Sequence, residues 1–132
     1  STLKAKNGYD LVSSYGGKSV KIRYTTMRGA HCGPHIAESK DAEKRPTGSI
    51  EIDHVTSESN IYGITIYSAS VEGPHLVKDS NFQGAGAWLD LQGPHGPLNF
   101  QNVFTEGAET MLNTDPATIT KASARIEAAK PR

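Results

Sequence analysis

Glu51 and Asp53 stand two residues apart in the alternating run Ile50-Glu51-Ile52-Asp53. Side chains at i and i+2 of a strand leave on the same face, so both carboxylates project from one surface. Two such groups about 5–9 Å apart across a glycosidic bond act as acid and as base or nucleophile. They are the candidate catalytic residues, set against the plainer reading of a solvated strand face. A second set, Tyr67, Trp88 and Asp90, combines aromatic faces with a carboxylate. Sugar recognition uses that combination, since apolar ring faces stack while hydroxyls pair with polar groups. The plainer alternative is a tryptophan covered by a loop or by a neighbouring subunit. A third cluster, His31-Cys32-Gly33-Pro34-His35, gathers three possible zinc or copper ligands. Histidines in Gly-Pro-His corners are ordinarily exposed polar residues, so no metal and no cofactor is expected.

These side chains need strands to carry them, and the spacing supplies two columns. One holds residues 50–54, 75–79 and 98–102, with Ile52, Val77 and Phe100 equivalent at offsets of 25 and 23. The other holds 63–67, 86–90 and 108–112, at offsets of 23 and 22. In this register Ile64, Ile66, Ala87 and Leu89 point inward, while Trp88 lies over Thr65 and Asp90 over Tyr67 on the outside. Lys78 and Gln101 follow Asp53 on the outer face of the first column. The predicted interior is Ile50, Ile52, Ile64, Ile66, Val77, Leu89, Phe100 and Met111. A five-residue strand is only about 17 Å long. One such unit cannot bury an apolar face alone, whereas stacked copies can. Residues 19–25 begin a preceding unit, and the charged stretch 38–45 is an exposed loop. Asn60, Asn81 and Asn102 recur every 21 residues, at or near corners where asparagine tolerates the left-handed conformation.

The phrases Ser59-Asn60-Ile61-Tyr62-Gly63-Ile64-Thr65-Ile66 and Val77-Lys78-Asp79-Ser80-Asn81-Phe82, followed by Phe100-Gln101-Asn102-Val103-Phe104, resemble turns of a right-handed parallel β-helix. That superfamily contains pectin-lyase-like polysaccharide enzymes and phage tailspikes. The resemblance covers about residues 48–113. It implies a module of tailspike type that binds a polysaccharide on its outer face, acts outside the cell or on a virion, and assembles as a homotrimer or as part of a longer fibre.

Composition bounds the remainder. The 132 residues suit one domain. Fourteen basic residues balance fourteen acidic ones, which argues against a general phosphate-binding surface, so no nucleic acid is expected as a partner. No apolar run approaches membrane-spanning length, and no membrane insertion is expected. With 36% hydrophobic residues, 13 Gly and 7 Pro, turns should be frequent and helices few. Cys32 is the only cysteine, which excludes an internal disulfide. Thr114-Asp115-Pro116 precedes Ile119, Ala122, Ile126 and Ala129 at helical spacing, so a capping helix is predicted over 116–129. The expected fold is mostly β, a short parallel β-helix or other solenoid with that small helix; a β-sandwich or barrel is the alternative. The expected partners are a polysaccharide and further copies of the chain. Two alternatives to sugar binding stand beside it: a self-assembling virion or filament subunit, and a glycoside hydrolase or polysaccharide lyase.

Overall fold

The computed structural model describes residues 2–4, 12–39, 42, 44–58, 60–69, 73–93, 95–112, 114 and 116–127. The strands are β1 (Thr2–Lys4), β2 (Val12–Tyr15), β3 (Ser19–Arg28), β4 (Pro34–Ala37), β5 (Ser49–Glu58), β6 (Tyr62–Tyr67), β7 (His75–Gln83), β8 (Ala87–Gln92), β9 (Leu98–Phe104), β10 (Met111–Leu112) and β11 (Ile119–Lys121). Odd-numbered strands form a six-stranded sheet in the order β1-β3-β5-β7-β9-β11, and even-numbered strands a five-stranded sheet in the order β10-β8-β6-β4-β2. Every pairing within them is parallel. The chain therefore visits the two sheets alternately, and each strand lies beside the strand two elements earlier. The protein is mostly β, with no closed barrel and no α-helix among the described residues.

Register in the six-stranded sheet follows the predicted spacing: Ile52 pairs with Val77, and Val77 with Phe100. In the five-stranded sheet Met111 pairs with Leu89, again as predicted. Between β6 and β8 the predicted offset is two residues short, because Ile64 pairs with Leu89 rather than Ala87. The prediction set Gly63 against Gly86 as though both opened equivalent strands. Gly86 belongs to the bend before β8. Gly63 instead falls level with residue 88, where the backbones pass so closely that a Cβ on Gly63 would lie 2.5 Å from the Trp88 carbonyl oxygen. An error of two residues leaves the inward and outward faces unchanged.

One apolar core lies between the sheets. It includes Ile22, Met27, Ile50, Ile52, Val55, Val77, Phe82, Phe100 and Val103 from the odd strands, and Ile36, Ile64, Ile66, Trp88, Leu89 and Leu91 from the even ones. Met111 packs against it partly buried. Each fully buried aliphatic or aromatic side chain contributes about 1.5–3 kcal/mol relative to exposure, so the predicted interior positions are those that hold the sheets together.

Trp88 corrects the predicted outer surface. It is wholly buried, with its indole 5.4 Å from the Phe82 ring and 5.9 Å from Phe100. Strict alternation fails at this position: Trp88 is the second residue of β8, close after the bends at Gly84 and Gly86, and its side chain packs on rings of the opposite sheet. A large indole there covers the mouth of the core between β7 and β9. Its Nε1 has no hydrogen-bond partner among the described residues.

The long odd strands are each interrupted at one level. Tyr24, His54, Asp79 and Asn102 have φ of 50°, 52°, 48° and 52°, and the registers of β3, β5, β7 and β9 place them in one row. A left-handed residue cannot continue an extended strand, so each chain bends there. Asn, Asp and His tolerate this conformation better than most residues. On two of the strands a hydroxyl one residue later secures the bend: Thr25 Oγ1 donates to the Arg23 carbonyl (2.8 Å) and Ser80 Oγ to the Lys78 carbonyl (2.8 Å). Of the three asparagines predicted at corners, Asn102 alone is left-handed. Asn60 instead plugs its corner, accepting from the Ala30 amide (2.8 Å) and donating to Met27 O (3.2 Å) and Ser57 Oγ (2.7 Å). Asn81 is buried within β7.

The predicted C-terminal helix does not form among the described residues; residues 128 and 129 lie outside them. A 3-10 turn (Pro116–Thr118) leads into β11, where Ile119 pairs with Phe100. The free edge of β9 offers backbone groups that must be paired, whereas an isolated helix of this length is marginal. Beyond β11 the chain returns across the six-stranded sheet. There the Asn81 amide grips Ile126 twice, accepting from its N–H (2.8 Å) and donating to its carbonyl (2.7 Å), and Arg125 pairs with Glu58.

Trp88→Ala is expected to destabilise the protein by about 3–5 kcal/mol, while Trp88→Phe, which keeps an aromatic ring and removes the unpaired N–H, costs clearly less. Urea unfolding measures both. Equal, small losses would place the indole outside the core.

Candidate functional site

The outer face of the five-stranded sheet is set by the core beneath it. Ile36, Ile64, Ile66, Leu89 and Leu91 point inward, so the residues between them, His35, Thr65, Tyr67, Asp90 and Gln92, point away. The register arranges them in two rows across the strands. Ser13, His35, Thr65 and Asp90 form one row, and Tyr15, Ala37, Tyr67 and Gln92 the other.

Three rings follow one another over β2, β4 and β6. Tyr15 lies 5.8 Å from His35 and tilted at 45°, and His35 lies 5.6 Å from Tyr67, edge to face at 77°. The series ends on β8 in a carboxylate. Tyr67 donates its hydroxyl to Asp90 Oδ2 (3.0 Å), and Gln92 Nε2 lies 3.1 and 3.2 Å from the two Asp90 oxygens. Asp90 is only 2% exposed although it faces away from the core, because Tyr67 and Gln92 fold over it. Burial, then the hydrogen bond to Asp90 and that residue's charge, push the Tyr67 hydroxyl up to about 12. Tyr15 remains 39% exposed and Gln92 is exposed, so the series is open to solvent at both ends. Nearby, His31 meets Tyr62 edge to face at 5.3 Å.

Of the predicted sugar-binding set, the structure thus brings Tyr67 and Asp90 together and removes Trp88 to the core. Tyr15, His35 and Gln92 take its place. Sequence reasoning missed Tyr15 and His35 because β2 and β4 lie before the region where the repeat is visible, and missed Gln92 because the predicted register set Asp90 rather than Gln92 beside Tyr67. The signal available was the Tyr15 to His35 to Tyr67 recurrence across an irregular period.

Glu51 and Asp53 do share the outer face of β5, and Asp53 is followed by Lys78 and Gln101 in adjacent strands as predicted. Their partners differ. Glu51 Oε2 is held by Arg23 at 2.6 Å, and Asp53 Oδ1 lies 2.6 Å from His54 Nδ1. Glu51 borders a shallow hollow with Lys21, Ser49, Pro74 and Leu76, from which Asp53 is absent. The two carboxylates therefore do not converge on one cleft.

Of the His31–His35 cluster, His31 and Cys32 stay in contact and His35 separates from them. Cys32 is buried, with its Sγ 3.3 Å from Thr65 Oγ1 and 3.4 Å from His31 Nδ1, whereas His35 sits among the rings. The Gly-Pro-His triplets occupy unlike positions: His35 is half-buried, His75 fully buried and His95 exposed, so the uniform exposure expected of them does not hold. Among the described residues, the His, Cys, Asp and Glu side chains that do converge are Asp53, His54 and Asp79, whose ligand atoms all lie within 4.8 Å of one another. Comparison of the chain with protein-family models, curated proteins and solved structures finds no match.

A folded pKa raised above the unfolded one means that Tyr67 contributes stability fully below about pH 10, lost as pH climbs towards 12. Tyrosinate absorbance should accordingly show one of the five tyrosines ionising only near pH 12, a phase removed in Tyr67→Phe. Its persistence in that variant would contradict the Tyr67–Asp90 contact.

Proposed function

We propose that this chain is a parallel β-helix module that binds a polysaccharide on the outer face of its five-stranded sheet, in the manner of phage tailspikes. The observation that carries the reading is the run Tyr15–His35–Tyr67 ending at Asp90 and Gln92. Successive strands are spaced at about 4.8 Å, so a sugar chain laid across the strands meets the rings of β2, β4 and β6 in turn and then the hydrogen-bonding group of β8. The rings supply apolar faces for pyranose C–H surfaces. The exposed Gln92 amide supplies a donor and an acceptor for hydroxyls, and the buried Asp90 holds it in place. The alternation of the chain between two parallel sheets supports the β-helix reading, and the resemblance of residues 48–113 supports the tailspike comparison. Function at a virion or cell exterior, and a homotrimeric state, belong to the same proposal.

Self-assembly is the second reading. β10 and β11 each have one strand partner among the described residues, and an unpaired strand edge offers backbone groups to further chains. Hydrolysis or lysis by Glu51 and Asp53 ranks below both, because Arg23 and His54 engage the two carboxylates separately.

A polysaccharide array probed with the full chain should return binders, and Tyr15→Ala or Tyr67→Ala should weaken the best of them at least tenfold, about 1.4 kcal/mol. Trp88→Phe should leave binding unchanged. Absence of any binder, or binding indifferent to both tyrosines, overturns the proposal.

A further inference from the structure

The row of left-handed residues on the six-stranded sheet carries chemistry that sugar binding does not use. At its centre, Asp53 Oδ1 lies 2.6 Å from His54 Nδ1, and Asp79 on the next strand brings a second carboxylate into a group whose ligand atoms are all within 4.8 Å. The bends put them there. His54 and Asp79 occupy the same level of β5 and β7 and share a positive φ, which turns both side chains out of the regular alternation and towards Asp53.

We propose that Asp53, His54 and Asp79 bind a divalent transition-metal ion, zinc being the ion best matched to one imidazole and two carboxylates. Zinc takes nitrogen at about 2.0–2.1 Å and carboxylate oxygen at about 2.0–2.2 Å, so ligand atoms already this close need only small side-chain movements to surround it. Mixed nitrogen and oxygen donors favour such an ion over calcium or magnesium, which prefer oxygen alone.

The surroundings of the two carboxylates point the same way. Asp53 is 8% exposed, and its neighbour Asp79 carries the same charge. Yet among the described residues no lysine or arginine lies within salt-bridge distance of either, since Arg23 is spent on Glu51. One imidazole and two carboxylates so close together form a donor set that a divalent ion can bridge. The outer contacts also hold the ligands in place: the Tyr24 ring stacks on His54 at 5.2 Å and 19°, and Asn102 Nδ2 donates to Asp79 Oδ1 at 3.1 Å. Partners of this kind fix ligand orientation in metal sites. Three protein donors leave the fourth tetrahedral position of zinc to water.

The test uses the full chain, stripped with a chelator, titrated with zinc chloride by calorimetry and assayed for metal content. One zinc per chain is expected, with a rise in Tm on adding zinc. His54→Asn and Asp79→Asn retain a residue that accepts positive φ, so circular dichroism should show the fold intact. Each should weaken zinc binding at least tenfold and abolish the Tm shift. Cys32→Ser should leave stoichiometry and affinity unchanged. Failure of the unmodified chain to take up zinc overturns the proposal. So does uptake that survives in the His54→Asn/Asp79→Asn double variant, or that disappears in Cys32→Ser.

Discussion

Parallel backbone pairing between each strand and the one two elements earlier is the constraint on which the rest of this structure depends. It gives every position a neighbour of the same orientation about 4.8 Å away. The inward or outward fate of a side chain is therefore inherited along a row. Ile52, Val77 and Phe100 form one such inward row, and Ile64, Leu89 and Met111 another. A slip of one residue would carry a whole set of aliphatics to solvent, so the core and the register enforce each other.

The same pairing stacks exceptions as faithfully as it stacks regular residues. Tyr24, His54, Asp79 and Asn102 share one level, and each takes a backbone conformation that costs most L-residues about 1–2 kcal/mol. Contacts along the row offset that cost. A tyrosine stacks on the histidine, an asparagine donates to the aspartate, and hydroxyls of Thr25 and Ser80 tie off the carbonyls before the bend. The bends are thus a structural device whose by-product is a concentration of polar side chains at one place on the surface.

The two sheets consequently present different chemistry. The six-stranded sheet offers carboxylates and an imidazole around its bends, crossed by the C-terminal segment that Asn81 grips. The five-stranded sheet offers rings ending at a carboxylate that its own neighbours cover. Asp90 illustrates how an outward position becomes a buried one. Tyr67 and Gln92 enclose it, which orders the two side chains a ligand would meet and spares them part of the entropy lost on binding.

By itself the sequence determined the strand columns, the parallel spacing of Ile52, Val77 and Phe100, and the aliphatic interior, because alternation and recurrence are local properties that survive without coordinates. Glu51 and Asp53 on one face, and Tyr67 close to Asp90, were legible for the same reason. Only the tertiary structure decided where that logic stops. Trp88 turned inward, close after the bends before β8, onto rings of the opposite sheet. The helical spacing of Ile119, Ala122 and Ile126 lost to the unpaired edge of β9, a partner far away in sequence. The convergence of Asp53, His54 and Asp79 required both a register between two strands and a left-handed backbone at two residues. Neither is written in residue types alone, since each arises from how separate strands meet.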